Sequence, residues 1–186
     1  GLSRFPASGT HVSDSFFVSQ QDDDSGDKAY IGLYCTGAGG GWKTALKNTT
    51  SSVMKKAWEL EQDTSIPLED YDPYWTVVAY FNSKRELGGG VSLMQDDIKD
   101  ALAIEGARPT IQRDESVQEL KGGLKSIELV RILQTMETKA GESGALDALL
   151  CTNMFSVGVD VTRLGLMLVN SQPKATTEYM QSTGRV

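Results

Sequence analysis

The chain has 186 residues, 39% of them hydrophobic and 23% charged, with a formal net charge of −7. This composition excludes disordered, collagen-like and membrane-spanning classes, and fits one domain with a substantial core, or one domain carrying an insertion. Cys35 and Cys151 share no CxxC spacing and His11 is the one histidine, which excludes a zinc site, argues against a disulfide framework and makes a reducing cytoplasm the expected compartment.

The charge is unevenly spread. Residues 1–120 hold 11 basic and 19 acidic side chains, whereas residues 121–186 hold 7 and 6. The acidity that would oppose a nucleic-acid partner is therefore concentrated upstream, including Asp22, Asp23, Asp24 and Asp27. No window approaches the roughly 18 apolar residues of a membrane span, and no signal sequence opens the chain. It starts on Gly1 and stops at "QSTGRV" without a helix-ending signal, so we expect a piece cut from a longer protein.

Along the chain, residues 1–28 read as an irregular lead-in, and Ala29 to Cys35 as a buried strand followed by Gly37, Gly39, Gly40 and Gly41. From Trp42 to Gln62, Leu46, Val53, Met54, Ala57, Trp58 and Leu60 recur as on one helical face. Pro67 and Pro73 bracket a loop. Trp75 to Phe81 is a second buried strand, whose unbroken hydrophobicity suits a parallel sheet covered on both faces.

A helix is expected over Val91–Ile104, then a loop over 105–116 and a short strand at Val117–Leu120. Gly122-Gly123 is a tight turn. Ser126 reads as the N-cap of a helix reaching about Lys139, with Ile127, Val130, Ile132, Leu133 and Met136 mostly inward. Leu146–Cys151 and Leu164–Val169 are strands, and Thr176 begins a final helix. Alternating strands and helices predict an open, mostly parallel α/β sheet with helices on both faces.

Two motifs compete for the chemistry. Gly37 to Thr44, "GAGGGWKT", approaches the phosphate-binding pattern GxxxxGK[ST], but Trp42 stands where the glycine before the lysine must be. An indole there obstructs the backbone wrap around phosphate. A flexible turn with a solvated Lys43 is the favoured reading, and a nucleotide enzyme built on Lys43 the lesser one.

The second motif runs from Cys151 to Val161 and is completed by Gln181 to Arg185. A strand ending in Thr152-Asn153 can offer hydroxyl and amide groups to a phosphate at the carboxyl edge of the sheet, where such sheets bind ligands. Gly158 permits close backbone approach, Asp160 supplies a carboxylate, and the last helix presents Arg185.

These residues resemble superfamily 2 helicases. "CTNMFSVGVDV" is similar to their motif V, "QSTGRV" at 181–186 to the first six positions of motif VI, and "VVAYFNS" at 77–83 to motif IV. "LKGGLKSIELVRILQTME" at 120–137 resembles the segment preceding motif V. "DPYWTVVAYFNSKRELGGG" narrows the resemblance to the large helicases of bacterial DISARM-type phage-defence systems, which would also account for "SDSFFV" and "YIGLYCTGAGGGWKTAL".

The resemblance implies that residues 29–186 form a RecA-like second lobe of the P-loop NTPase kind. ATP and Mg2+ would be held mainly by a first lobe absent from the chain. Arg185 would be the catalytic arginine finger; Gly158, Asp160, Gln181 and Gly184 would meet ATP; Thr152, Asn153, Gly122, Gly123, Asn82 and Ser83 would hold the phosphates of a nucleic acid, DNA in the first place. No residue is implied as a metal ligand, and the lobe should be inactive alone. The implied partners are nucleic acid, the first lobe and defence-system subunits, with no membrane.

Two features depart from the pattern. Ser182 replaces an arginine common in some branches, and the interval 84–121 is long. The alternative function is a non-catalytic, helicase-like scaffold or interaction module.

Overall fold

Four short strands form the centre of the computed structural model, which describes residues 29–33, 41–152, 161–171, 173 and 175–184. They are β1 (Val77–Phe81), β2 (Val117–Leu120), β3 (Ala148–Cys151) and β4 (Met167–Asn170). All pair in parallel, in the order β2-β3-β1-β4. β1 is buried along its whole length, as a central strand covered on both faces must be, whereas β2 and β4 are half-exposed until their last residue.

The pleat divides the core in two. Val77, Ala79 and Phe81 face one layer with Met54, Leu87, Leu93, Ile98, Leu102 and Ile111. Val78 and Tyr80 face the other with Leu120, Ile132, Met136, Leu149 and Leu164. The first layer is built by α1 (Trp42–Gln62), α3 (Lys84–Leu93), a π-helical turn (Met94–Ile98) and α4 (Lys99–Ile104), and the second by α5 (Ser126–Met136). Helices on both faces of a parallel sheet confirm the open α/β class. The remaining helices are α2 (Leu68–Trp75) and α6 (Thr176–Thr183).

Residues Gly1–Tyr34 and Cys35–Val186 are two compact units. In the first, Ala29–Leu33 form no strand, and Ile31 is 83% exposed. The strand expected over 29–35 is thus not formed at 29–33, where Gly32 interrupts the apolar run.

Three further expectations change. The stretch between the prolines is helix α2: Pro67 is its N-cap and Pro73 lies inside it, at the sixth of eight residues, where it removes one hydrogen bond of the ladder close to the point at which the helix ends. The helix expected from Val91 starts instead at Lys84, because Ser83 Oγ accepts the Glu86 N–H at 3.2 Å while Glu86 Oε2 accepts the Asn82 N–H at 3.2 Å. Gly90 then lets this helix approach the sheet, since a Cβ there would lie 2.3 Å from Phe81 Cζ. Finally, the N-cap of α5 is Lys125, not Ser126, and the helix ends at Met136. It buries Ile132 and Met136 but turns Ile127 and Val130 outward.

Candidate nucleic-acid and nucleotide edge

In a parallel sheet every strand ends on the same edge, and the register brings the ends level. Phe81 lies opposite Asn170, while Leu120, Cys151 and Tyr80 share a rung. The residues that follow are Asn82 and Ser83 after β1, Gly122-Gly123 after β2 and Thr152 after β3. The structure therefore brings five of the expected nucleic-acid residues to one carboxyl edge.

Each has a local reason for its position. Thr152 is half-buried, and its N–H donates to the Leu120 carbonyl at 3.3 Å, which ties the end of β3 to β2. Gly122 and Gly123 form an exposed turn, where Gly123 takes φ +98°, a conformation that a side chain strongly disfavours. Ser83 is committed to capping α3. Asn82 Nδ2 donates long hydrogen bonds to the carbonyls of Asn170 and Ser171, at 3.5 and 3.4 Å.

Gln181 lies in α6 and Gly184 in the exposed turn after it, the side chain of Gln181 being outside the described residues. Asn153, Gly158, Asp160, Arg185 and Val186 also lie outside them. Ser182 is fully buried and its Oγ donates to the carbonyls of Glu178 and Tyr179. An arginine at this position would have to bury its charge.

Tyr80 was not among the expected site residues. Its phenol, on the α5 side of the sheet, donates to Glu178 Oε1 at 2.6 Å and so joins β1 to α6. Burial, then this hydrogen bond and the Glu178 charge, push the phenol's pKa well up, so it remains a donor. Beside it, burial pushes the Cys151 thiol up to about 12, leaving it protonated and unreactive at neutral pH.

The opposite edge is closed by two ion pairs. Arg108 and Asp147 are both wholly buried and joined at 2.7 Å; the guanidinium also donates to the carbonyls of Met54 and Trp75 and stacks 4.0 Å over the Trp75 ring. Arg163 grips Asp72 through two nitrogens at 3.1 and 2.8 Å, and reaches the Thr76 hydroxyl and Met136 carbonyl. Burial works to raise the Asp72 pKa, but the hydrogen bonds from Arg163 and the Ala140 N–H, with the Arg163 charge, outweigh it and hold the carboxyl below its ordinary value.

Of the glycine-rich stretch before α1, Gly41 is the one glycine among the described residues. Gly41 is an extended N-cap, Trp42 opens the helix, and Lys43 Nζ sits 5.8 Å over the Trp42 ring. Lys43 is exposed, as a solvated residue beside a turn would be.

Sequence comparison agrees with the fold. The helicase conserved C-terminal domain family matches residues 70–186, and the chain belongs to that family. The chain is also 37% identical over 187 residues to the DISARM protein DrmA of Bacillus paralicheniformis, covering 98% of the chain. It spans 16% of that relative's length. Among the described residues, no helix is long and apolar enough to cross a membrane.

Proposed function

We propose that this chain is the second motor lobe of an ATP-dependent DNA helicase or translocase, working within a longer polypeptide that supplies the first lobe. The observation that carries the reading is the convergence of Asn82, Gly122-Gly123 and Thr152 on one sheet edge, in a chain of the helicase C-terminal family.

The Thr152 hydroxyl and N–H groups of the Gly122-Gly123 turn hold backbone phosphates of the tracked strand, a role shared with Asn153, Asn82 and Ser83. Such contacts position a strand without reading its sequence, and need no large basic patch. That reconciles a net charge of −7 with a nucleic-acid partner, because the affinity belongs to the assembled cleft. The isolated lobe is inactive.

ATP with Mg2+, when bound, supplies the phosphoryl group whose hydrolysis drives movement. Among the described residues no three His, Cys, Asp or Glu side chains converge as metal ligands, and on this reading the metal takes its protein ligands from the first lobe. This chain contributes Gly158, Asp160, Gln181 and Gly184 toward the nucleotide, and the Arg185 guanidinium toward its phosphoryl oxygens. Arginine suits that role because its charge is permanent and its planar fork matches phosphoryl oxygens. As a partner in defence, the lobe would work with the other subunits of a DISARM-type system.

The test is Arg185→Ala in the intact polypeptide. An arginine finger is worth about 10³–10⁵ in rate and acts chiefly in the transition state, so turnover should collapse while ATP affinity stays within a few-fold. Near-normal turnover would refute the role.

A further inference from the structure

At the end of β1 two polar side chains reach neighbouring segments, Tyr80 to α6 and Asn82 to the end of β4. Tyr80 is completely buried, and its hydroxyl donates to Glu178 Oε1, 98 residues away in sequence. Two residues further on, Asn82 Nδ2 meets the carbonyls of Asn170 and Ser171. Ser171 sits at φ +68°, an uncommon conformation for a residue with a side chain, sustained where the surroundings fix it. Within α6, Ser182 lies one turn beyond Glu178 and is buried, so the helix is held on the same side as the phenol.

We propose that Tyr80 and Glu178 form a clasp from the central strand onto α6, with Asn82 holding the end of β4 beside it, and that the work of Arg185, which follows α6 in the chain, depends on this clasp. The inference rests on the arginine-finger reading of that residue, and makes Tyr80 and Glu178 positioning residues of the motor.

The physical case is one of leverage. α6 has eight residues, too short to hold itself as a helix in water, so its register and direction come from what it docks on. In sequence, Arg185 follows Glu178 by seven residues and the last residue of α6 by two. A guanidinium is useful only when held at the geometry of the transition state, and a misplacement of about 1 Å can cost as much as 10²-fold. The hydrogen bond at 2.6 Å is short and directional, and it starts from a strand that is buried along its whole length. β1 also precedes Asn82 and Ser83, so one strand links the proposed nucleic-acid contacts to the proposed finger.

The test uses the intact polypeptide, with DNA-stimulated ATP turnover and amide exchange across α6 as readouts. Tyr80→Phe should lower kcat about ten-fold with KM for ATP within about two-fold, and should speed exchange in α6. Glu178→Ala should do the same. Glu178→Gln, which keeps an acceptor oxygen, should restore kcat to within about two-fold of the parent, a rescue that mere loss of bulk would not give. The double variant Tyr80→Phe with Glu178→Ala should be no worse than either single one, because one contact is lost once.

Arg185→Ala is measured alongside. Turnover abolished there but unchanged in Tyr80→Phe overturns the clasp and leaves the finger standing. Turnover unchanged in Arg185→Ala overturns both. A slow Tyr80→Phe enzyme whose α6 exchanges at the parent rate also overturns the clasp.

Discussion

The two edges of the sheet are built on different terms. At the amino edge, Arg108–Asp147 and Arg163–Asp72 are buried pairs whose remaining donors are spent on the carbonyls of Met54, Trp75 and Met136. At the carboxyl edge, Thr152 is half-buried and Gly122-Gly123 exposed. Buried, charge-paired groups on one side and accessible groups on the other are what a machine part needs: one edge fixes the strands, the other meets what the strands present.

The contrast can be broken most forcefully at the amino edge. Arg108→Met strands the Asp147 carboxylate in the core, and removing one partner of such a pair costs about 3–5 kcal/mol, to be read from urea unfolding. Gly90→Ala comes next. Overpacking against Phe81 costs about 1–3 kcal/mol, offset by up to about 1 kcal/mol of helix preference, so a net loss of about 1–2 kcal/mol is expected in the same assay.

The Arg163–Asp72 pair predicts a pH dependence. Because the folded carboxyl titrates below its ordinary 3.8, its stabilisation is fully present above about pH 4 and is lost as pH falls through the depressed value. Asp72→Asn should remove that acid limb from a stability profile. At the carboxyl edge the smallest stability effect is expected: Thr152→Ala should change unfolding free energy by under about 0.5 kcal/mol, yet weaken DNA binding several-fold in a titration of the intact protein.

Much of this was legible in the sequence, for identifiable reasons. Val77–Phe81 and Ala148–Cys151 announce themselves as unbroken apolar runs, and the Gly122-Gly123 turn follows from backbone freedom. The helix from Trp42 to Gln62 shows its stripe directly. The order of "VVAYFNS", "CTNMFSVGVDV" and "QSTGRV" was enough to point to the family that residues 70–186 match.

What escaped did so because the signal was outweighed or not local. Ser83 and Glu86 carry a capping pattern, but Gly88, Gly89 and Gly90 outweighed it, and only the approach of Phe81 explains why a helix keeps Gly90. Ile127 and Val130 look inward by composition, whereas docking through Ile132 and Met136 rotates them out. Arg108 and Asp147 lie 39 residues apart, and Tyr80 and Glu178 lie 98 apart; no spacing rule joins them.

The division of labour between the edges is tested most directly by hydrogen–deuterium exchange of the intact polypeptide, with and without DNA and a non-hydrolysable ATP analogue. Protection should appear in peptides covering residues 82–83, 121–124 and 152, while 108–116, 145–147 and 161–165 exchange as before. Protection confined to the amino-edge peptides, or none at the carboxyl edge under saturating ligand, would contradict the account.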